Sequence, residues 1–375
     1  MTLVELWFVL IAVLWTGFLV LEGFDFGVGM LHGVLGGDEA GRQTALGTIN
    51  PVWDGNEVWL IVAGAGMFAA FPGWYATMFS AMYLALLLLL VALILRGVAL
   101  VLRGKRDSPL WRRRWSAALI AGSLLAPLLV GVAFGDLLHG IPIGSDQVYQ
   151  GSFWNLLQPY AVYTGITVVG VCLLHGAAFV GLKSVGPVHD RAYRAGRMLG
   201  PVAAALVLGF AVWTLATAGH GAGAWIVALA AVAAVIVAAG AVGRGRDGLA
   251  FGATAVTMAA VVGGIFVNLY PRVMVSTLGP ADDLTIQNTS SASYSLTVMT
   301  VVAAVFLPVI LIYQGWTYHV FRQRVGRAEI TAPTAGPPPV RIPTPRIPLR
   351  PSTRRERRVI GDAEISRRPP SPSTE

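Results

Sequence analysis

Cysteine, charge and the signatures of soluble enzymes are all scarce in this sequence, and each scarcity excludes something. Among 375 residues there is one cysteine, Cys172, set in an apolar run. A single thiol forms no intrachain disulfide, and there is no CxxC pair for a redox or zinc site. Cys172 reads as a small packing residue. Charged residues make up 12% of the chain, about half the share usual in soluble domains. So few charges do not cover a water-facing surface of this length, and lipid must solvate much of the chain. Walker A, HExxH and a GxGxxG that opens a helix after a strand are also missing, which argues against a soluble catalytic domain. The first apolar run has no basic segment before it. It leads into Glu22-Gly23-Phe24-Asp25, not a small-residue cleavage site. It is expected to stay as a helix and not to be cleaved as a signal peptide.

What is abundant is apolar: 55% of residues are hydrophobic, with a mean hydropathy of +0.67. The net charge of +8 does not point to nucleic acid, because the arginines sit in short loops and in the C-terminal stretch. A spanning helix needs roughly 20 apolar residues. Nine runs meet that need, at 6–24, 52–71, 76–101, 116–136, 160–181, 200–219, 223–242, 249–270 and 296–320. They predict an all-α, polytopic bundle. Loops 102–115 and 182–199 carry Arg and Lys and 243–248 carries Arg244 and Arg246, whereas 72–75, 137–159 and 220–222 carry neither Arg nor Lys, and 271–295 has only Arg272. This alternation predicts an N-terminus outside and a C-terminus in the cytoplasm. Residues 1–322 read as the transmembrane domain. Residues 323–375, rich in Pro and Arg, read as a disordered basic cytoplasmic tail. Abundant glycine in the runs predicts close helix approaches.

Polar residues inside apolar runs are the candidates for chemistry. One group is Glu22-Gly23-Phe24-Asp25 at the inner end of the first run. The other is Trp53-Asp54-Gly55-Asn56-Glu57 at the inner start of the second. Glu22 and Asp25 are three apart, as are Asp54 and Glu57, so each pair shares a helix face where the helix reaches that far. A carboxylate within a membrane is costly unless paired, neutralised or hydrated. A proton path from the cytoplasm is one reading. Helix capping, or pairing with loop arginines such as Arg42, is the other. Glycines around Asp25 suggest a turn there. Arg96 is read either as snorkelling to lipid phosphate or as partnering one of these acids. His175, alone within the fifth run, reads as an interhelical hydrogen-bonding residue before a haem ligand. From the residues alone, a proton-coupled transporter and a purely structural membrane partner remain open.

Four blocks carry a resemblance to a known family. EGFDFGVGM at 22–30, NPVWDGNEVWLIVAGAGMFAAFP at 50–72, GVAFGDLLHGIP at 131–142 and SLTVMTVVAAVFLPVILIYQGWTYHVF at 295–321 resemble subunit II of cytochrome bd-type quinol oxidases, in the right order over residues 1–322. The resemblance implies a complex in the bacterial plasma membrane that oxidises quinol and reduces oxygen to water. It implies haem b and haem d on the partner subunit I, and a structural quinone in some members. It leaves room for small accessory subunits beside membrane lipid, with no nucleic-acid partner. By motif, Asp54 with its neighbour Trp53 is the first expectation for proton conduction and Asp25 the second, with Glu57 and Glu22 carrying less weight. No catalytic residue and no metal ligand is assigned to this chain, and Asp136 is given no role.

Overall fold

The computed structural model describes residues 1–219 and 221–326. The expected disordered tail beyond 326 lies outside the described residues. Eleven α-helices are described: α1 Leu3–Gly36, α2 Glu39–Gly47, α3 Trp53–Ala70, α4 Pro72–Ala81, α5 Tyr83–Leu102, α6 Pro109–His139, α7 Pro159–Lys183, α8 Pro187–Thr217, α9 Gly221–Gly243, α10 Asp247–Leu269 and α11 Ser293–Val320. A small antiparallel pair, β1 Arg272–Met274 and β2 Leu284–Thr285, sits between α10 and α11. Eight of the described helices are long and apolar enough to cross a membrane. The remaining expected run differs in composition. α3 is an 18-residue helix whose first two turns carry Asp54, Asn56 and Glu57, and these lower its hydropathy. The long helices alternate in direction. One face of the bundle gathers the loop at 140–158 and the β1–β2 pair; the other gathers Arg42, Arg103, Arg112 and Arg191. We call these the loop face and the basic face.

Three expectations about element ends need correction. α1 does not end near residue 24 but runs to Gly36, so Glu22 and Asp25 are mid-helix and Asp25 is in no turn. The glycines there serve packing instead. A Cβ on Gly27 would collide with the Cys172 carbonyl and lie 2.8 Å from Gly176 Cα on α7, so α1 and α7 cross backbone against backbone. The basic stretch at 187–199 is not a loop but the first turns of α8. Val188, Ala192 and Gly196 face inwards there, while Arg194 and Met198 face out. That amphipathic pattern extends the helix beyond its apolar portion. The third run is divided at Met82 into α4 and α5.

The core is built on α1, α6, α7 and α10, with Phe18, Phe24, Phe26, Phe134 and Phe266 fully buried among them. α11 is different. Leu296 is its one buried residue, and polar contacts hold it. Near the loop face, Trp7 Nε1 donates to Thr300 Oγ1 at 3.0 Å. Towards the basic face, Gln314 and Tyr318 reach α3. Beyond α11, Lys183 Nζ donates to the carbonyls of Phe321 and Gln323, and the Val325 amide donates to the Lys183 carbonyl at 2.7 Å.

Candidate proton-conducting site

The site begins from an ion pair sealed inside the bundle. Glu22 on α1 and Arg96 on α5 are both fully buried, with Arg96 Nη1 2.5 Å from Glu22 Oε1. The contact is ionic without aligned hydrogen-bond geometry: all three guanidinium nitrogens and both Glu22 oxygens lack a hydrogen-bond partner among the described residues. Glu57 on α3 lies 3.6 Å from the same Arg96 nitrogen and is 23% exposed. The guanidinium also stands 4.9 Å from the Phe26 ring centroid and 5.9 Å from that of Trp53. Gly97 lets Trp53 lie close, with its ring carbon 3.5 Å from where a Cβ would stand. One cation thus faces two glutamates and two rings, where desolvation makes each charge strongly dependent on the others.

Asp25, one turn further along α1, is joined to the set through Asn56. Asn56 Nδ2 donates to Asp25 Oδ2 at 2.7 Å and to the Leu21 carbonyl at 3.1 Å. Its Oδ1 accepts from Gln314 Nε2 at 3.0 Å and from the Tyr318 hydroxyl at 2.8 Å. A carboxamide has two donor hydrogens and two acceptor lone pairs, and all four are used. The Leu21 carbonyl can only accept, which fixes which end of the amide faces Asp25. Asn56 is therefore the hub that ties α1, α3 and α11 together.

The five expected residues are only partly brought together. Glu22, Asp25 and Glu57 converge on Arg96 and Asn56, and Trp53 flanks them. Asp54, the first expectation, stands outside this cluster, exposed in the first turn of α3. Arg42, the loop arginine offered as an alternative partner, lies 3.9 Å from Glu39 and is not the partner of Glu22. Gln314 and Tyr318 are not among the residues expected from sequence, and Asn56 stands in the expected group without a role of its own. Their signal was present in the sequence: an amide between two acids, and a polar pair four apart in an otherwise apolar run. His175 has both ring nitrogens engaged, Nδ1 with Thr254 Oγ1 at 2.7 Å and Nε2 with the Val20 carbonyl at 3.1 Å. That occupancy does not fit an axial haem ligand.

At the basic face a second ion cluster closes the end of α1. Arg103 forms a bidentate pair with Glu39, both bonds 2.8 Å, and its Nε donates to Ser116 Oγ at 2.8 Å. Partial burial alone would raise the Glu39 carboxyl. The hydrogen bonds and charge of Arg103, with the charge of Arg112, outweigh it and hold Glu39 below the usual glutamate range.

The comparisons with known proteins agree on one family. The family model for cytochrome bd terminal oxidase subunit II matches residues 3–321. The chain is 41% identical over 329 residues to cytochrome bd ubiquinol oxidase subunit 2 of Bacillus subtilis, covering 87% of this chain and 97% of that protein. It is 33% identical over 362 residues to cytochrome bd-I ubiquinol oxidase subunit 2 of Escherichia coli K12, covering 87% and 96%. Among solved structures, the bd oxidase of Geobacillus thermodenitrificans matches with a TM-score of 0.68 over 86% of this chain and 99% of that one, at 18% identity. That last likeness concerns the fold alone.

Proposed function

The chain belongs to the cytochrome bd terminal oxidase subunit II family, and from that premise we propose that its buried acids carry protons from the cytoplasm towards an oxygen-reducing site on subunit I. It is a multi-pass bacterial membrane protein and part of an oxidoreductase complex. The proposal concerns what this subunit contributes. Membership of that family displaces the transporter reading.

The observation that carries the proposal is the sealed set of Glu22, Asp25, Asn56 and Arg96, with Glu57 at its edge. An isolated carboxylate inside a bundle is expensive, and three around one arginine are more so. Such an arrangement is poorly explained as packing, since apolar residues of similar volume would serve at least as well. As a device that takes up and releases protons, it has a reason to exist. The basic face is the cytoplasmic one in this proposal, which the excess of Arg and Lys there supports. Protons drawn from that side, with quinol releasing its own on the other, separate charge without a pump.

Asp54 has a different place in the route. It projects from α3 on a side shared with the exposed Val58, Ile61 and Phe68. A carboxylate on an otherwise apolar transmembrane flank calls for a polar cover. We assign that flank, with the outward faces of α5 and α11, to subunit I, and Asp54 to the hand-over between subunits. Haem b and haem d are assigned to subunit I. When bound there they supply electron transfer and an iron that binds oxygen. On this side the chemistry is proton delivery alone: Glu22 and Asp25 hold exchangeable protons, Arg96 balances their charge, and Asn56 orients Asp25. A structural quinone, and small accessory subunits, belong to this proposal only as members of the assembly.

The test is quinol-driven oxygen consumption by the purified complex carrying Asp54→Asn, with haem content checked by its visible spectrum. The amide keeps the shape and hydrogen bonds but exchanges no proton. Loss of about 100-fold or more in turnover with intact haem is expected, the scale of a lost proton-transfer group. Undiminished turnover removes Asp54 from the route.

A further inference from the structure

Unpaired polar atoms continue beyond Asp25 along one line of α1. Asp25 Oδ1, His32 Nε2 and Ser123 Oγ are all buried without a hydrogen-bond partner among the described residues, and all three residues are fully enclosed. Asp25, Gly29 and His32 follow one another at helical spacings of four and three, so they share a face. Ser123, on α6, fills the gap at Gly29: a Cβ at position 29 would collide with its hydroxyl. These atoms are sealed within this chain, so subunit I does not reach them. Interiors leave few polar atoms unsatisfied, and ordered water is the usual partner where protein supplies none.

The geometry also fixes which atoms hold protons. His32 Nδ1 lies 2.8 Å from the Gly29 carbonyl. A carbonyl only accepts, so Nδ1 carries the hydrogen and the neutral ring offers Nε2 as a lone pair. Asn56 donates to Asp25 Oδ2, so a proton on Asp25 sits on Oδ1. The two unpaired atoms are thus the base of one residue and the proton-bearing oxygen of the other. The charged groups facing His32 are Arg103, just past the end of α5, and Arg42 and Glu39 on α2, all at the basic face. The helical rise from Asp25 to His32 is about 10 Å, and Ser123 lies between.

We propose that His32 and Ser123 form the entry leg of the proton route, linked to Asp25 by ordered water. This rests on Asp25 being a proton carrier. A proton from the basic face bonds to His32 Nε2. That N–H bond then breaks as the proton passes through water and the Ser123 hydroxyl to Asp25 Oδ1. Asp25 releases its proton onwards towards Glu22. Each hop forms one bond to hydrogen and breaks one, and His32 returns to its neutral form with no electrons exchanged.

The test uses the whole complex with His32→Gln, Ser123→Ala and Asp25→Asn, each checked for assembly and haem content. Glutamine retains a donor for the Gly29 carbonyl but does not titrate, so a packing role would survive His32→Gln. The relay predicts a fall in turnover of about tenfold or more for His32→Gln and Ser123→Ala, with loss of the wild-type pH profile in His32→Gln. Full turnover and an unchanged profile in either variant, beside an inactive Asp25→Asn, overturns the relay and leaves the role of Asp25 intact. Full turnover in Asp25→Asn as well overturns the proton reading itself. Independent of any variant, a high-resolution map of the complex is expected to show ordered water within hydrogen-bonding distance of His32 Nε2 and Ser123 Oγ. Dry packing at both atoms overturns the relay.

Discussion

Glu22 and Arg96 meet at 2.5 Å from opposite helices, and neither side chain has any surface open to its surroundings. Two buried charges of opposite sign do not by themselves stabilise a bundle, because removing both from water costs as much as their attraction returns. What they do is make each dependent on the other. Arg96 is the cation that both Glu22 and Glu57 face.

Arg96→Leu therefore leaves Glu22 without its cation, and destabilisation of about 3–5 kcal/mol is expected. The thermal midpoint of the purified complex reads this directly. Arg96→Leu combined with Glu22→Leu should recover part of that loss, because the fully buried partner of Arg96 is removed with it, while Glu57, 23% exposed, is less costly to leave without the cation. A double variant no more stable than Arg96→Leu would show that Arg96 is needed for something other than Glu22.

Asn56→Leu should release α11. Gln314 and Tyr318 lose their acceptor, Asp25 loses its donor, and each unsatisfied group costs about 1–3 kcal/mol. Since α11 buries only Leu296, little apolar packing replaces them. Hydrogen exchange in the last turns of α11 is the measurement, with faster exchange in the variant than in the wild type. Unchanged exchange would mean that subunit I, not Asn56, holds this helix.

Gly27→Val should prevent α1 and α7 from closing, because a side chain there meets the Cys172 carbonyl and the Gly176 backbone. Backbone on both sides leaves nothing flexible to move. Loss of assembled complex is expected on a native gel, whereas Gly33→Ala, with nothing within 4 Å of the added Cβ, should assemble normally.

The Glu39–Arg103 pair predicts an acid-side dependence. Folding lowers the Glu39 pKa, so its contribution is fully present above the ordinary glutamate range and is lost as pH falls through the lowered value. Glu39→Gln should be less stable than wild type at neutral pH, with the difference shrinking as the solution is acidified. Thermal midpoints of both proteins across that range check the sign.

The sequence made the helical membrane architecture legible because long apolar runs and loop arginines are local signals. It made Glu22, Asp25 and Glu57 visible because acids in apolar runs are costly. It misplaced the first two at a helix end, because glycines that serve the crossing with α7 look like a turn when no partner helix is in view. Asp54 looked equivalent to Glu57 from spacing, yet the first faces outwards and the second edges the buried set. Which side of α3 turns inwards depends on tertiary packing against α1. The role of Asn56 within its group is not legible in sequence, because it lies in four partners on α1 and α11, separated by up to 262 positions.

Proton delivery through Asp25 is tested by single-turnover proton uptake by the complex in vesicles, comparing wild type with Asp25→Asn at equal haem content. Protons are expected to be taken up from the cytoplasmic side in wild type, with uptake and charge separation slowing together by about 100-fold in the variant, as loss of a relay group requires. Uptake at the wild-type rate in an assembled Asp25→Asn complex would contradict it, and would leave the buried acids of this subunit as structural groups.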